Sequence, residues 1–203
     1  NYPFLKFPFE YFNPLQTLTF DNVFKQDNLL VCAPTASGKT VVAEMFMGVC
    51  LALKQKVLYL SPLKSLSDEK LQDWNNPNYI FKNKKISILT GDFQLTTDRK
   101  SELNNADIIC MTTEMFDSKT RNILSNNFIK NIGLIIIDEF HLIGVKDRGD
   151  KLECSLIKYL THKPDTKILC LSATFPNAND IKEWFKTISK NNTEIISPKN
   201  LIL

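Results

Sequence analysis

No two cysteines in this chain stand in a CxxC pair. Cys32, Cys50, Cys110, Cys154 and Cys170 fall mostly inside apolar runs, which suits buried thiols in a reducing compartment and argues against a zinc site or a disulfide framework. Asn1–Phe9 lacks the basic segment, apolar run and cleavage site of a leader, and the longest apolar stretches are of core-strand length and interrupted by charge. Neither secretion nor membrane insertion is expected, so the expected setting is intracellular, with nucleus and cytoplasm not distinguished. A strong excess of one charge is also missing. The net charge is +3 and the lysines are scattered, which hints only mildly at an anionic partner. A nucleic-acid partner has to be argued from motifs.

What is present is enough apolar material for one substantial core: 43% of the 203 residues are hydrophobic and 23% are charged. Short apolar runs alternate with amphipathic segments, the pattern of an α/β fold with a parallel central sheet and helices on both faces. Strands are expected at Asn28–Ala33, Lys56–Ser61, Ile86–Thr90, Asp107–Met111, Leu134–Asp138 and Ile168–Ser172, and helices at Lys39–Leu53 and Lys64–Trp74. Asn75–Lys85 and Ser125–Asn131 are polar, and Lys82–Lys85 reads as a solvated loop. After Asn191 comes a short apolar run, and no second set of alternating elements follows.

Two segments carry chemistry. Ala33-Pro34-Thr35-Ala36-Ser37-Gly38-Lys39-Thr40 joins a strand to a helix and matches the phosphate loop (P-loop), except that Ala33 replaces the usual first glycine. The backbone N–H groups that follow Pro34, at Thr35–Lys39, and the helix N-terminus suit phosphate oxygens, Lys39 suits the outer phosphates of ATP, and Thr40 suits Mg2+. Leu134–Ile137 is a buried-strand run ending in Asp138 and Glu139. A carboxylate at a strand's C-terminal end lies where ligands of parallel sheets bind, so Asp138 is a second candidate for Mg2+. Glu139 is the candidate base for the water that attacks the terminal phosphate. The bland alternatives are a chance loop and an acidic helix cap; neither explains the coincidence of the two segments.

With Asp138-Glu139-Phe140-His141 the chain resembles superfamily-2 helicases of the DExH class, in the superkiller-like branch that also holds archaeal DNA-repair and spliceosomal helicases. The resemblance covers nearly the whole chain and implies a RecA-like P-loop NTPase lobe spanning residues 1–203. It further implies an ATP-dependent helicase acting on DNA or RNA. Within it, Phe12–Gln16 looks like an adenine-recognising segment with Gln16 reading the base. The segment Ser61–Lys70, with Pro62 and Lys64, looks like the first backbone-contacting motif, and Thr90, Gly91, Thr112, Thr113 and Glu114 fall in two more. Such contacts position the protein on phosphates without reading bases. Ser172-Ala173-Thr174 resembles the segment coupling the two sites, its hydroxyls expected to bond the Asp138–His141 turn, with His141 in the same role. Phe140 stands where the pattern carries an aliphatic residue, an expected change of packing.

The repair-type helicases look closest through Asp107–Arg121 and Asp138–Glu153, while Phe12–Gln16 looks more like the spliceosomal group, so DNA and RNA both stay open. A small-molecule kinase or ATPase would share the P-loop but has no use for Lys64, Thr90 or Thr113. The arginines are Arg99, Arg121 and Arg148, and none matches the arginine-finger motif that the resemblance places on a second lobe. That lobe is expected to be a partner supplied by the full-length protein, and this stretch alone is expected to be nearly inactive.

Overall fold

The computed structural model describes residues 6–76, 79–91, 95–173 and 176–197. Along them the chain runs α1 (Pro14–Phe20), β1 (Asn28–Cys32), α2 (Lys39–Ala52), β2 (Lys56–Ser61), α3 (Lys64–Trp74), β3 (Ile86–Leu89) and α4 (Thr97–Asn105). It continues through β4 (Ile108–Thr112), α5 (Thr113–Thr120), α6 (Asn127–Lys130), β5 (Ile132–Ile137), α7 (Gly149–His162), β6 (Lys167–Ser172), α8 (Ala178–Ile188) and β7 (Thr193–Ile196). The strands form one parallel sheet in the order β3-β4-β2-β5-β6-β1-β7.

Alternation along each strand divides the core into two. Leu29 and Val31, Val57 and Tyr59, Leu134 and Ile136, and Leu169 and Leu171 pack beneath α1, α2 and Trp74 of α3. Their neighbours Leu30, Leu58, Leu60, Ile135, Ile137 and Ile168 face the other way, against Leu103, Phe116, Phe128, Leu156, Tyr159 and Phe185 from the helices opposite. A strand covered on both sides has no polar face, which is why β5 reads as a continuous apolar run. Burying one such Leu or Ile side chain contributes roughly 1.5–3 kcal/mol. Phe140 meets this second core with its ring stacked on Phe185 at a centroid distance of 6.3 Å.

The fold class follows the sequence expectation; several details differ. β7 is a true edge strand beside β1 rather than a terminal apolar run. The polar segment before β3 sends Phe81 into the core and packs Tyr79 and Ile80 against it, while Lys82 and Lys85 stay exposed. Ser125–Asn131 likewise buries Phe128 and Ile129. Burial pushes the thiols of Cys50 and Cys110 up to about 12, whereas Cys154 is exposed on α7, the exception to the buried-thiol expectation.

Candidate functional site

The loop after β1 begins in strand geometry. The N–H of Ala33 donates to the Ser172 carbonyl at 3.0 Å, and its side chain is fully buried, so this position needs no glycine. The turn comes later, where Ala36 (φ 61°) and Gly38 (φ 88°) take left-handed backbone. At Gly38 the left-handed backbone favours glycine, and a Cβ there would push aside the side-chain ends of Gln16 and Asn13, 2.6 Å and 2.7 Å away. Asn13 and Gln16 cap α1 reciprocally, each side-chain oxygen accepting the other's backbone N–H at 3.0 Å, and Asn13 Nδ2 donates to the Ser37 carbonyl at 3.0 Å. Gln16 is thus buried against the loop instead of exposed on a helix. Its amide oxygen serves the cap, so the base-reading role expected for Gln16 would fall to its amide nitrogen or require the cap to open.

The N-terminus of α2 carries no side-chain cap hydrogen bond at Gly38, leaving its first N–H groups available to an anion. Lys39 folds back so that Nζ donates to the carbonyls of Ala33 and Pro34, each at 2.8 Å. Ser37 Oγ is buried without a hydrogen-bond partner among the described residues. An uncapped helix start, an ammonium held only by neutral carbonyls and an orphaned hydroxyl in one loop fit a polyphosphate, to whose charge the lysine bonds more strongly. Pro34, Thr35, Ala36 and Thr40 are exposed around this cradle.

Asp138 and Glu139 come directly after β5. The N–H of Asp138 pairs with the Leu60 carbonyl at 2.9 Å, holding the turn at the sheet's rim. Asp138 Oδ1 accepts the backbone N–H of Glu139 at 2.9 Å, and Oδ2 accepts the hydroxyl of Tyr59 at 2.5 Å. Burial first, and the Asp138 charge second, hold the Tyr59 phenol well above its ordinary value, so it stays a donor. Glu139 has left-handed backbone (φ 50°) and makes no side-chain cap bond to the 3-10 turn after it. Non-glycine residues in that region carry strain of the kind that collects at functional sites. Its Oε2 lies 3.3 Å from His141 Nδ1, too poorly aligned for a hydrogen bond.

Loop and acidic turn face one cleft of about 360 Å³, lined by Thr35, Ala36, Gly38, Lys39, Thr40, Asp138, Glu139 and Leu171, and by Leu66, Glu69 and Lys70 of α3. Leu66, Glu69 and Lys70 fall in the segment expected to contact nucleic acid, not ATP, and no local pattern marks Tyr59. Ser172, between the loop and the acidic turn, buries its hydroxyl without a hydrogen-bond partner among the described residues, so the expected bond to the Asp138–His141 turn is not made. Its carbonyl, not its hydroxyl, ties it to the loop. Thr174 lies outside the described residues.

The other three segments sit on the neighbouring half of the same rim. Ser61 is in register with Thr112, and Leu89 with Met111, so β2, β4 and β3 end side by side. Lys64 is exposed in the first turn of α3, whereas Pro62 is buried and turns the chain without presenting a surface. Thr90 is fully buried, its hydroxyl without a partner among the described residues, and Gly91 is open. Thr112 caps α5 by accepting the Met115 N–H at 3.4 Å, and Thr113 Oγ1 donates to Glu114 Oε2 at 3.3 Å. Asp92 lies outside the described residues.

A parallel sheet with a P-loop after β1 and an acidic turn after β5, one strand intervening, defines a RecA-like nucleotide-binding lobe. The chain belongs to the DEAD/DEAH box helicase family, which matches residues 13–181. It is 36% identical to the RQC trigger complex helicase SLH1 of Saccharomyces cerevisiae, over 88% of this chain and 9% of that protein. It is also 36% identical to the probable ATP-dependent DNA helicase HFM1 of Mus musculus, over 87% of this chain and 13% of that protein. The crystal structure of the DUF1998 helicase MrfA superposes with a TM-score of 0.73 at 20% identity, covering 93% of this chain and 30% of that one, a likeness of fold. The chain spans only 9% and 13% of the two curated relatives. Among the described residues no helix is long and apolar enough to cross a membrane.

Proposed function

We propose that this chain is the ATP-binding lobe of a helicase that couples ATP hydrolysis to movement along, or unwinding of, DNA or RNA. The observation that carries the reading is the convergence of Lys39, Thr40, Asp138 and Glu139 on one cleft beneath the uncapped N-terminus of α2. Lys39 exchanges its two carbonyls for the outer phosphates, and the loop N–H groups at Thr35–Lys39 hold the remaining oxygens. Thr40 and Asp138 hold Mg2+. The ion would supply positive charge there to offset the charge developing on the transferred group. Glu139 orients a water and takes its proton as the water attacks, and His141 beside it relays occupancy to the rest of the turn.

The second half of the rim, Lys64 with Gly91, Thr113 and Glu114, forms the nucleic-acid track through contacts to the backbone, while the fully buried Thr90 lies beneath that surface. Since α3 begins on that track at Lys64 and lines the phosphate cleft at Glu69 and Lys70, it is the element that touches both. Backbone contacts suit DNA and RNA alike. The second RecA-like lobe, with its arginine fingers, is the partner this lobe requires, supplied by the rest of the protein. Measuring ATPase activity of the full-length protein with single-stranded DNA and RNA of one sequence tests the reading. Turnover should be stimulated by at least one, and Glu139→Gln should keep nucleotide binding while slowing hydrolysis about 10²–10⁴-fold. Normal turnover by Glu139→Gln would remove its assignment as the base.

A further inference from the structure

Tyr59 is a buried core residue whose polar atom has a single destination. Alternation puts Tyr59, its register partner Ile136 and the next residue but one, Asp138, on the same face of the sheet. Its ring is 1% exposed and meets Trp74 edge-on, with centroids 5.0 Å apart and planes at 86°. Trp74 is fixed in turn, its Nε1–H donating to Glu44 Oε1 at 2.9 Å, and Glu44 belongs to α2, the helix that opens with Lys39 and Thr40. Phenylalanine would fill the same space. What it would lack is the donor to Asp138.

A carboxylate has about four lone-pair directions. The Tyr59 hydroxyl takes one on Oδ2 and the Glu139 N–H one on Oδ1, which fixes the plane of the group and leaves a lone pair free on each oxygen. Partners behind a metal-binding side chain set its orientation, and losing them weakens metal affinity even when the ligand itself is intact. We propose that Tyr59 is a positioning residue for the cation-binding carboxylate, its hydroxyl holding Asp138 in the orientation that presents it to the phosphate cleft. The inference rests on the reading of Asp138 as the magnesium carboxylate.

The test is fluorescent ATP-analogue binding to the full-length protein, titrated against Mg2+ and repeated in EDTA. Tyr59→Phe keeps the ring and its contact with Trp74, and unchanged thermal unfolding and unchanged affinity in EDTA verify that the site is intact. The expected result is a rise of roughly 10-fold in the Mg2+ concentration needed for half-maximal enhancement of binding. In an Asp138→Asn background the same substitution should add nothing further, since the two groups act as one. An unchanged Mg2+ requirement in Tyr59→Phe overturns the proposal, as does an effect that persists in full when Asp138 is already asparagine. If Asp138→Asn itself leaves the Mg2+ requirement untouched, the assignment of Asp138 falls, and the role of Tyr59 falls with it.

Discussion

At the scale of single residues, Lys167 shows most plainly how burial alters chemistry away from the site. It sits at the start of β6 with its ammonium 4.4 Å from the centre of the Phe46 ring, donating to the carbonyls of Asn22 and Val23 at 3.0 Å and to that of Lys25. Burial lowers it from its ordinary value of 10.5 to about 8, with Cys50 and Asp27 opposing the shift. Between pH 8 and 10.5 the unfolded chain therefore binds more protons here than the folded one. The contribution of this lysine to stability grows as pH rises through that window and is lost as pH falls through 8, with a slope of up to about 1.4 kcal/mol per pH unit. Urea unfolding of the unaltered protein and of Lys167→Met at pH 7.5 and 9.5 checks the sign. The unaltered protein should gain on the variant at the higher pH. No difference between the two pH values would mean that three carbonyls keep the group an ammonium. Among site residues, Lys39, Thr40, Asp138 and Glu139 were legible because each motif is a few consecutive residues between a strand and the next helix or turn. Tyr59 was not, because Asp138 is far along the chain, and Lys70 was legible only as part of the nucleic-acid segment.

At the scale of elements, the strand order separates the two halves of the rim. The three strands β3, β4 and β2 end in the segments assigned to nucleic acid, and β5, β6 and β1 end in those assigned to ATP and its coupling. Replacing Lys64 and Thr113 together with alanine should weaken binding about equally for all base sequences. It should also reduce the slope of log affinity against log salt by about one for each phosphate that is no longer neutralised. Nucleotide binding should survive, since neither residue lines the phosphate cleft. Fluorescence anisotropy at several salt concentrations reads this, and an unchanged slope would reduce both residues to ordinary turn positions. Element boundaries were legible to within a residue or two wherever a buried strand met a charged or proline-bearing turn, as at Lys56–Ser61. β7 was not, because four residues at a sheet edge, buried only at Thr193 and Ile196, carry no periodicity distinct from a loop.

At the scale of the molecule, the proposed function makes this lobe half of a composite site. The loop, the acidic turn, α3 and Leu171 of β6 together line the cleft. Arg99 belongs to α4, Arg121 is paired with Asp117 at 2.5 Å, and Arg148 precedes α7, so none of the three lines that cleft. A phosphoryl-transferring site lacking its arginine finger loses roughly 10³–10⁵-fold in rate. The 203-residue chain by itself should therefore fold, bind nucleotide weakly and turn over at a rate roughly 10³-fold or more below that of the full-length protein, with little response to nucleic acid. Steady-state ATPase assays on both, with and without single-stranded nucleic acid, decide it. Robust stimulated turnover by the short chain would mean that its own residues complete the site.

The α/β class and the parallel sheet were legible in the sequence alone, as were the P-loop and DExH motifs, because apolar periodicity and short motifs are local properties. Tertiary structure decided everything that depends on strand order and register. It placed the loop after β1 two positions from the turn after β5, gathered three weak segments onto one rim, and seated the cap of α1 on Gly38. It also brought Tyr59 to Asp138 across 79 residues of chain, a contact fixed by the pairing of β2 with β5 and by which face of the sheet each side chain takes.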